Sequence, residues 1–106
     1  MASDGYHEEG LSEATKDMHR AIVSLMEELE AVDWYQQRVD ATTDPTLARI
    51  LAHNRDEEKE HAAMLIEWIR ARDPKFNQEL RKYAFHPKAL EDELEETGHG
   101  VARSPD

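Results

Sequence analysis

Cysteine is absent from all 106 residues, which excludes disulfide frameworks, zinc–thiolate fingers, iron–sulfur clusters and thiol catalysis together. Positive charge is scarce. Against 24 Asp and Glu there are 13 Lys and Arg, a formal net charge of −11. That balance argues against nucleic acid as a partner, because phosphate contacts want a basic face. Long apolar runs are also missing. The longest, Ala62 to Ile66, falls far below the ~20 residues that a membrane-spanning helix needs. No charged-then-apolar leader opens the chain, so a cytoplasmic start and no membrane partner are expected. No glycine occurs between Leu11 and Ala84, and nothing resembles a phosphate loop, a dinucleotide fingerprint or a nucleophile triad. Alternation at period two is missing as well, which leaves no pattern for a strand.

What the composition does supply is oxygen and imidazole donors. Carboxylates are abundant and six histidines accompany them, a set suited to hard or borderline cations. A chain this small has little core of its own. Two helices alone cannot cover both of their apolar stripes, so an oligomer is expected.

The organisation is helical. Residues 1–10 are polar, without an apolar period, and read as a flexible N-terminal arm. From Leu11 a stripe follows four–three spacing through Met18, Ile22, Leu25, Leu29, Val32 and Val39, with Thr15 and Gln36 in the gaps. It predicts a helix of roughly seven turns that packs along another helix, with Ser12 as its cap and an end near Asp40. Asp44-Pro45 then gives a capping carboxylate and the residue favoured at the first helical position. A second helix is predicted from Pro45 to about Arg72, with Leu47, Leu51, Ala62, Leu65 and Ile69 as its stripe. Asp73-Pro74 repeats the device and starts a shorter helix carrying Phe76, Leu80 and Tyr83, ending before Pro87. Lys88 to Glu96 is acidic and reads as one or two helical turns stopped at Gly98. His99 to Asp106 reads as disordered.

The second helix contains the informative break. Between Leu51 and Ala62 the stripe carries Asn54, Glu58 and His61 instead of apolar residues. At ~100° per residue Glu58 lies midway between the lines through Leu51 and Leu65, and His61 leaves the same face one turn on. A carboxylate centred on a packing face costs several kcal/mol unless it is paired or holds a metal. Glu28, at the stripe edge of the first helix, matches it in height. Glu28 is 12 residues before Asp40 and Glu58 is 13 after Pro45, or about 18 and 20 Å from the turn. In an antiparallel hairpin Glu28, Glu58 and His61 therefore share one layer.

A Glu-x-x-His step is the spacing found in carboxylate-bridged di-iron bundles, which need two such steps and two further Glu. This chain supplies half of that set, and a two-fold dimer of hairpins would supply four Glu and two His. Four carboxylates and two divalent ions sum to zero charge, so metal binding and dimer closure should be coupled. Ligands without sulfur suit iron, manganese or zinc. Two other readings stay open: a zinc or manganese staple without redox chemistry, and a metal-free polar layer in which Glu58 and Glu28 bond to His61 or Arg55 and fix register. Glu27, Glu30 and Trp34 lie on the far side of the first helix, which suggests a second protein interface with two carboxylates as a weak cation site. Tyr35 falls near the Glu28 edge and reads as a packed amphipathic side chain or as a hydrogen-bond donor behind the ligands.

Three stretches carry a resemblance: His19 to Ser24, Met26 to Tyr35, and Ile50 to Met64. They closely resemble the encapsulated ferritins over roughly residues 12–85. The resemblance implies an all-α fold, with an antiparallel two-helix hairpin plus a short C-terminal helix dimerising into a ferritin-like four-helix bundle. Residues 11–86 are then a half-ferritin domain and 87–106 an acidic, partly disordered tail. It implies a ferroxidase, oxidising iron(II) with dioxygen at a di-iron centre on the dimer axis, with two iron ions per dimer and calcium, zinc or manganese as substitutes. Glu28, Glu58 and His61 match the ferroxidase ligands, and Glu27 with Glu30 match a second site through which metal enters. Trp34 and Tyr35 match the aromatic pair near the centre, and Tyr35 is counted among the catalytic residues. Implied partners are further copies, as a decamer of five dimers, and an encapsulin shell that encloses the protein and receives its iron for storage. The sequence ends at Ser104-Pro105-Asp106 without the glycine-rich linker and short apolar cargo peptide often seen in this family.

Overall fold

The computed structural model describes residues 5–97. Four helices follow one another: α1 (Glu13–Ala41), α2 (Pro45–Arg72), α3 (Pro74–Tyr83) and α4 (Pro87–Glu96). No strand occurs among the described residues, so the fold is all-α. No helix there is long and apolar enough to cross a membrane.

Local capping fixes the helix ends. Ser12 Oγ accepts the Thr15 N–H at 3.1 Å and starts α1. At the other end the Thr42 N–H returns to the Arg38 carbonyl at 3.0 Å. Asp44 Oδ1 accepts the N–H groups of Thr46 and Leu47 at 2.9 and 3.0 Å, directly ahead of Pro45. A carboxylate at this position satisfies donors that the first helical turn leaves without partners. Asp73 does the same for α3 through the Phe76 N–H at 2.9 Å.

Two compact units divide the chain between Ile69 and Arg70. In the first, α1 and the body of α2 form an antiparallel pair. Arg55 Nη1 donates to Gln36 Oε1 at 2.8 Å, while the earlier residue Glu28 faces the later residue His61. The core is thin. Ala21, Ala62 and Ile69 are buried, Leu25, Val32, Val39, Leu51 and Leu65 are half-buried, and Ile22, Met26, Leu29, Leu47, Ile50, Met64 and Ile66 stay exposed. The stripe predicted for α1 is thus split. One edge packs inside the hairpin, while its Ile22 and Leu29 stay uncovered, together with Met26 between them, which lies outside the predicted stripe.

Within the N-terminal arm, Tyr6 touches α1. The Tyr6 ring meets His19 edge-on at 5.0 Å between centroids, and Lys16 Nζ sits 5.8 Å from its centre. His19 is accordingly half-buried.

In the second unit Arg70 Nη1 donates to Asn77 Oδ1 at 2.6 Å. A turn through Phe85, at φ +64° and fully exposed, leads from α3 to α4. Lys82 Nζ and Tyr83 Oη both donate to Glu93 Oε1, at 3.0 and 3.1 Å. These bonds hold the Glu93 carboxyl below the usual carboxylate range, Lys82 first and Tyr83 next; Lys82 is held above the usual ammonium value, by Tyr83 first and Glu93 next. They also explain why α4 has ten residues where one or two turns were expected: Pro87 presets the first turn, Lys88 pairs with Asp92 at 3.2 Å, and α3 anchors Glu93. The expected stop at Gly98, the disorder expected from His99 to Asp106, and Met1 to Asp4 of the arm lie outside the described residues.

Candidate metal centre

Glu28 comes from α1, and Glu58 with His61 from α2, one turn apart. Each offers one ligand atom, and these atoms lie within 4.8 Å of one another. His61 Nδ1 stands 3.5 Å from Glu28 Oε2 and 3.8 Å from Glu58 Oε1. Both separations exceed the ~2.7–3.2 Å of a good N–H···O bond. His61 therefore stands beside both carboxylates without closing on either. The Glu28 and Glu58 side chains keep 23% and 25% of their exposure, and His61 keeps 47%. The site is partly dry and opens on one side.

Two features mark this cluster as unfinished. Glu28 Oε2 is buried and accepts no hydrogen bond, although a buried carboxylate oxygen is normally satisfied. The Glu58 carboxyl is held above its ordinary range. Hydrogen bonding with Glu28 is the largest cause, followed by lost hydration and by repulsion from the Glu28 charge; His61 pulls the other way. Two carboxylates held this close can share a cation. The donors are carboxylate oxygen and imidazole nitrogen, a chemistry that fits iron, manganese or zinc.

An open groove of about 610 Å³ runs from this cluster between the helices, lined by His61, Met64, Leu65 and Trp68 of α2 and by Ala21 and Ser24 of α1. Asp17 and Arg20 stand at its lining as well, tied to each other at 2.7 Å.

The remaining predicted residues lie elsewhere in the single chain. Glu27 and Glu30 are exposed, and among the described residues they belong to no cluster of three or more potential ligands. Trp34 is exposed and Tyr35 half-buried. The Arg38 guanidinium lies over both, 5.8 and 5.6 Å from the ring centres. Tyr35 sits seven residues from Glu28, about 10.5 Å nearer the turn along α1, and its hydroxyl makes no hydrogen bond to the three ligands. Arg55, weighed as a partner for Glu58 and Glu28, bonds instead to Gln36 at 2.8 Å and to Asp56 at 3.0 Å. The tie between Gln36 and Arg55 across the hairpin escaped the sequence reading. Its only signal was a polar residue at a stripe position of α1.

Comparison with known proteins agrees with this frame. The EncFtn-like family profile matches residues 5–87. An encapsulated ferritin-like protein of Rhodospirillum rubrum is 65% identical over 87 residues, covering 80% of this chain and 62% of that protein. The chain thus matches under two thirds of that relative's length. A ferritin-like protein of Thermotoga maritima is 52% identical over 101 residues, covering 92% of this chain and 88% of the relative. An encapsulin nanocompartment cargo protein, EncC, of Myxococcus xanthus is 40% identical over 52 residues, covering 49% of this chain and 40% of that protein. Among solved structures, protein ne0167 of Nitrosomonas europaea superposes with a TM-score of 0.74 at 66% identity, covering 76% of this chain and 91% of that one. With a profile spanning most of its length and close relatives on every side, the chain belongs to the EncFtn-like family of encapsulated ferritin-like proteins.

Proposed function

We propose that the protein is a ferroxidase, taking iron(II) as substrate and dioxygen as acceptor, and that its site is completed by a second copy of the chain. The observation that carries this is the convergence of Glu28, Glu58 and His61 within 4.8 Å, with Glu28 Oε2 buried and lacking a donor. One chain supplies three ligands, too few for a closed pair of cations. Two chains related by a two-fold axis supply four carboxylates and two imidazoles, the set used by di-iron bundles. Their four negative charges balance two iron(II) ions, which makes burial of the filled site affordable on a seam of low dielectric.

The roles follow from position. Glu28 reaches from α1 toward both α2 ligands and would bridge the two ions. Glu58, beside it, bridges or chelates. His61, one turn on and half exposed, gives a terminal nitrogen. Each ferrous ion gives up one electron to dioxygen and leaves as iron(III). Glu28 raises the proton affinity of Glu58, and proton and metal compete for the same oxygens, so metal affinity rises with pH.

Three further parts belong to this proposal. The uncovered row Ile22, Met26 and Leu29 is the surface on which a second copy packs. Glu27 and Glu30, with Trp34 beside them, form a metal admission site between dimers in a decamer, and Tyr35 acts behind the di-iron centre. The protein works in the cytoplasm inside an encapsulin shell that stores the oxidised iron; the names of the Rhodospirillum and Myxococcus relatives support this part.

The test is aerobic iron(II) oxidation by the wild type, Glu58→Ala and His61→Ala. Loss of activity in both is expected, and unchanged rates in both reject the proposal. Metal-dependent assembly by zinc or manganese, with no oxygen uptake on iron(II), would select the non-redox staple instead.

A further inference from the structure

Apolar packing does little to fix how far α2 slides along α1. The fully buried side chains are Ala21, Ala62 and Ile69, and alanines present only shallow ridges to a facing helix. The metal centre is sensitive to that slide. A slip of one turn moves Glu58 and His61 by ~5.4 Å against Glu28, more than the 4.8 Å within which the ligand atoms of all three now lie.

A chain of polar side chains crosses the hairpin beside the centre. Gln36 Nε2 donates to Asp40 Oδ1 at 2.9 Å. Gln36 Oε1 accepts from Arg55 Nη1 at 2.8 Å, and Arg55 Nε donates to Asp56 Oδ1 at 3.0 Å. Each end orients the link between. Asp40 holds the Gln36 amide so that its oxygen faces α2, and Asp56 holds the guanidinium so that Nη1 faces α1. The Arg55 side chain keeps 19% of its exposure. Arg55 precedes Glu58 by one turn on the same face of α2, so a guanidinium fixed against α1 fixes Glu58 and His61 with it. A satisfied polar tie in a packing seam specifies register where apolar contacts leave it loose.

We propose that Gln36 and Arg55 are positioning residues of the metal centre: their bond across the hairpin sets Glu28 against Glu58 and His61, and with that the cation affinity of the cluster. The inference rests on the metal reading of the cluster and not on its iron chemistry.

Zinc titration calorimetry on the full chain reads the affinity, with melting of the metal-free chain and circular dichroism alongside. Gln36→Leu combined with Arg55→Met replaces both partners by apolar groups, an exchange that can leave stability nearly unchanged. It is expected to weaken zinc binding about 10–100-fold, the range for residues that orient metal ligands, while melting stays near that of the wild type. Each single substitution is expected to cost about as much as the pair, because either one breaks the same bond. Gln36→Glu combined with Asp40→Asn exchanges donor and acceptor between those two positions, preserves the net charge and leaves Arg55 its acceptor. This variant is expected to bind zinc as the wild type does. Wild-type zinc affinity in the apolar pair overturns the proposal, as does a wild-type chain that takes up no zinc. Should the apolar pair lose helicity, the exchanged pair decides: weakened zinc binding there, with helicity retained, overturns the proposal as well. Iron(II) left unoxidised by a wild type that binds zinc rejects the ferroxidase reading alone.

Discussion

Replacing Glu58 by Gln separates the electrostatics of the empty cluster from its capacity for metal. The substitution keeps the size and removes one charge. The ligand atoms of Glu28, Glu58 and His61 lie within 4.8 Å. Two like charges at that distance repel by about 1 kcal/mol in a water-like dielectric and by about 3.5 kcal/mol at an effective value of 20. With each carboxylate side chain near one quarter exposed, a relief of about 1–3 kcal/mol is expected. A domain of this size gains about 4–8 °C in melting temperature per kcal/mol. Metal-free Glu58→Gln should therefore melt at least ~4 °C above the wild type at neutral pH and equal protein concentration. The cation response should move oppositely. Zinc or manganese, both silent toward dioxygen, should raise the wild-type melting temperature and leave the variant almost unmoved, because a ligand bound only to the folded state stabilises it by mass action. Calorimetric scans with and without the ion measure both quantities. Refutation would be a metal-free variant that melts below the wild type, or one that keeps the full cation-induced rise.

Four further outcomes are expected. Glu58 binds its proton more tightly in the folded chain than in the unfolded one, with Glu28 as the first cause. Its contribution to stability is therefore fully present below the ordinary Glu range and is lost as pH rises through the elevated value; melting of the metal-free chain from acid to neutral pH should show that fall, and Glu58→Gln should lack it. Leu29→Lys probes the uncovered row: on a surface left in water it shifts stability by less than ~0.5 kcal/mol, whereas on a paired surface it abolishes assembly with helicity retained, which sedimentation and circular dichroism distinguish. Glu93 has its proton affinity lowered by Lys82 and Tyr83. Its contribution is present above the ordinary Glu range and lost as pH falls through the depressed value, so amide exchange in α4 should quicken in acid, and Glu93→Gln should show that quickening already at neutral pH. Asp44→Ala removes a cap with two N–H partners and should cost about 0.5–2 kcal/mol in a denaturant titration, with no change in metal stoichiometry.

Much of the helical frame could be read from the chain because its signals are local. Ser12, Asp44 and Asp73 each cap within three residues, and Pro45 and Pro74 preset the turn that follows, so the ends of α1, α2 and α3 need no tertiary information. The Glu58–His61 step is equally local, since helical geometry alone puts both on one face. Local order also misled. Lys88 to Glu96 looked too acidic for more than a turn or two, and it is the Lys82 and Tyr83 bonds from α3 that extend α4. The arm residue Tyr6 has no apolar period around it, yet its ring finds His19 and Lys16 on α1.

The sequence by itself therefore determined where α1, α2 and α3 start and stop and which donors each presents, because those depend on dihedral preferences and on hydrogen bonds spanning three or four residues. Counting from the turn also put Glu28 in one layer with Glu58 and His61, as found; only the tertiary structure decided that Arg55 turns to Gln36 and that Ile22, Met26 and Leu29 stay uncovered. Each of those depends on how one helix is rotated and shifted against another, which is set by packing between residues distant in the chain, 19 positions apart for Gln36 and Arg55, and by no short stretch of it.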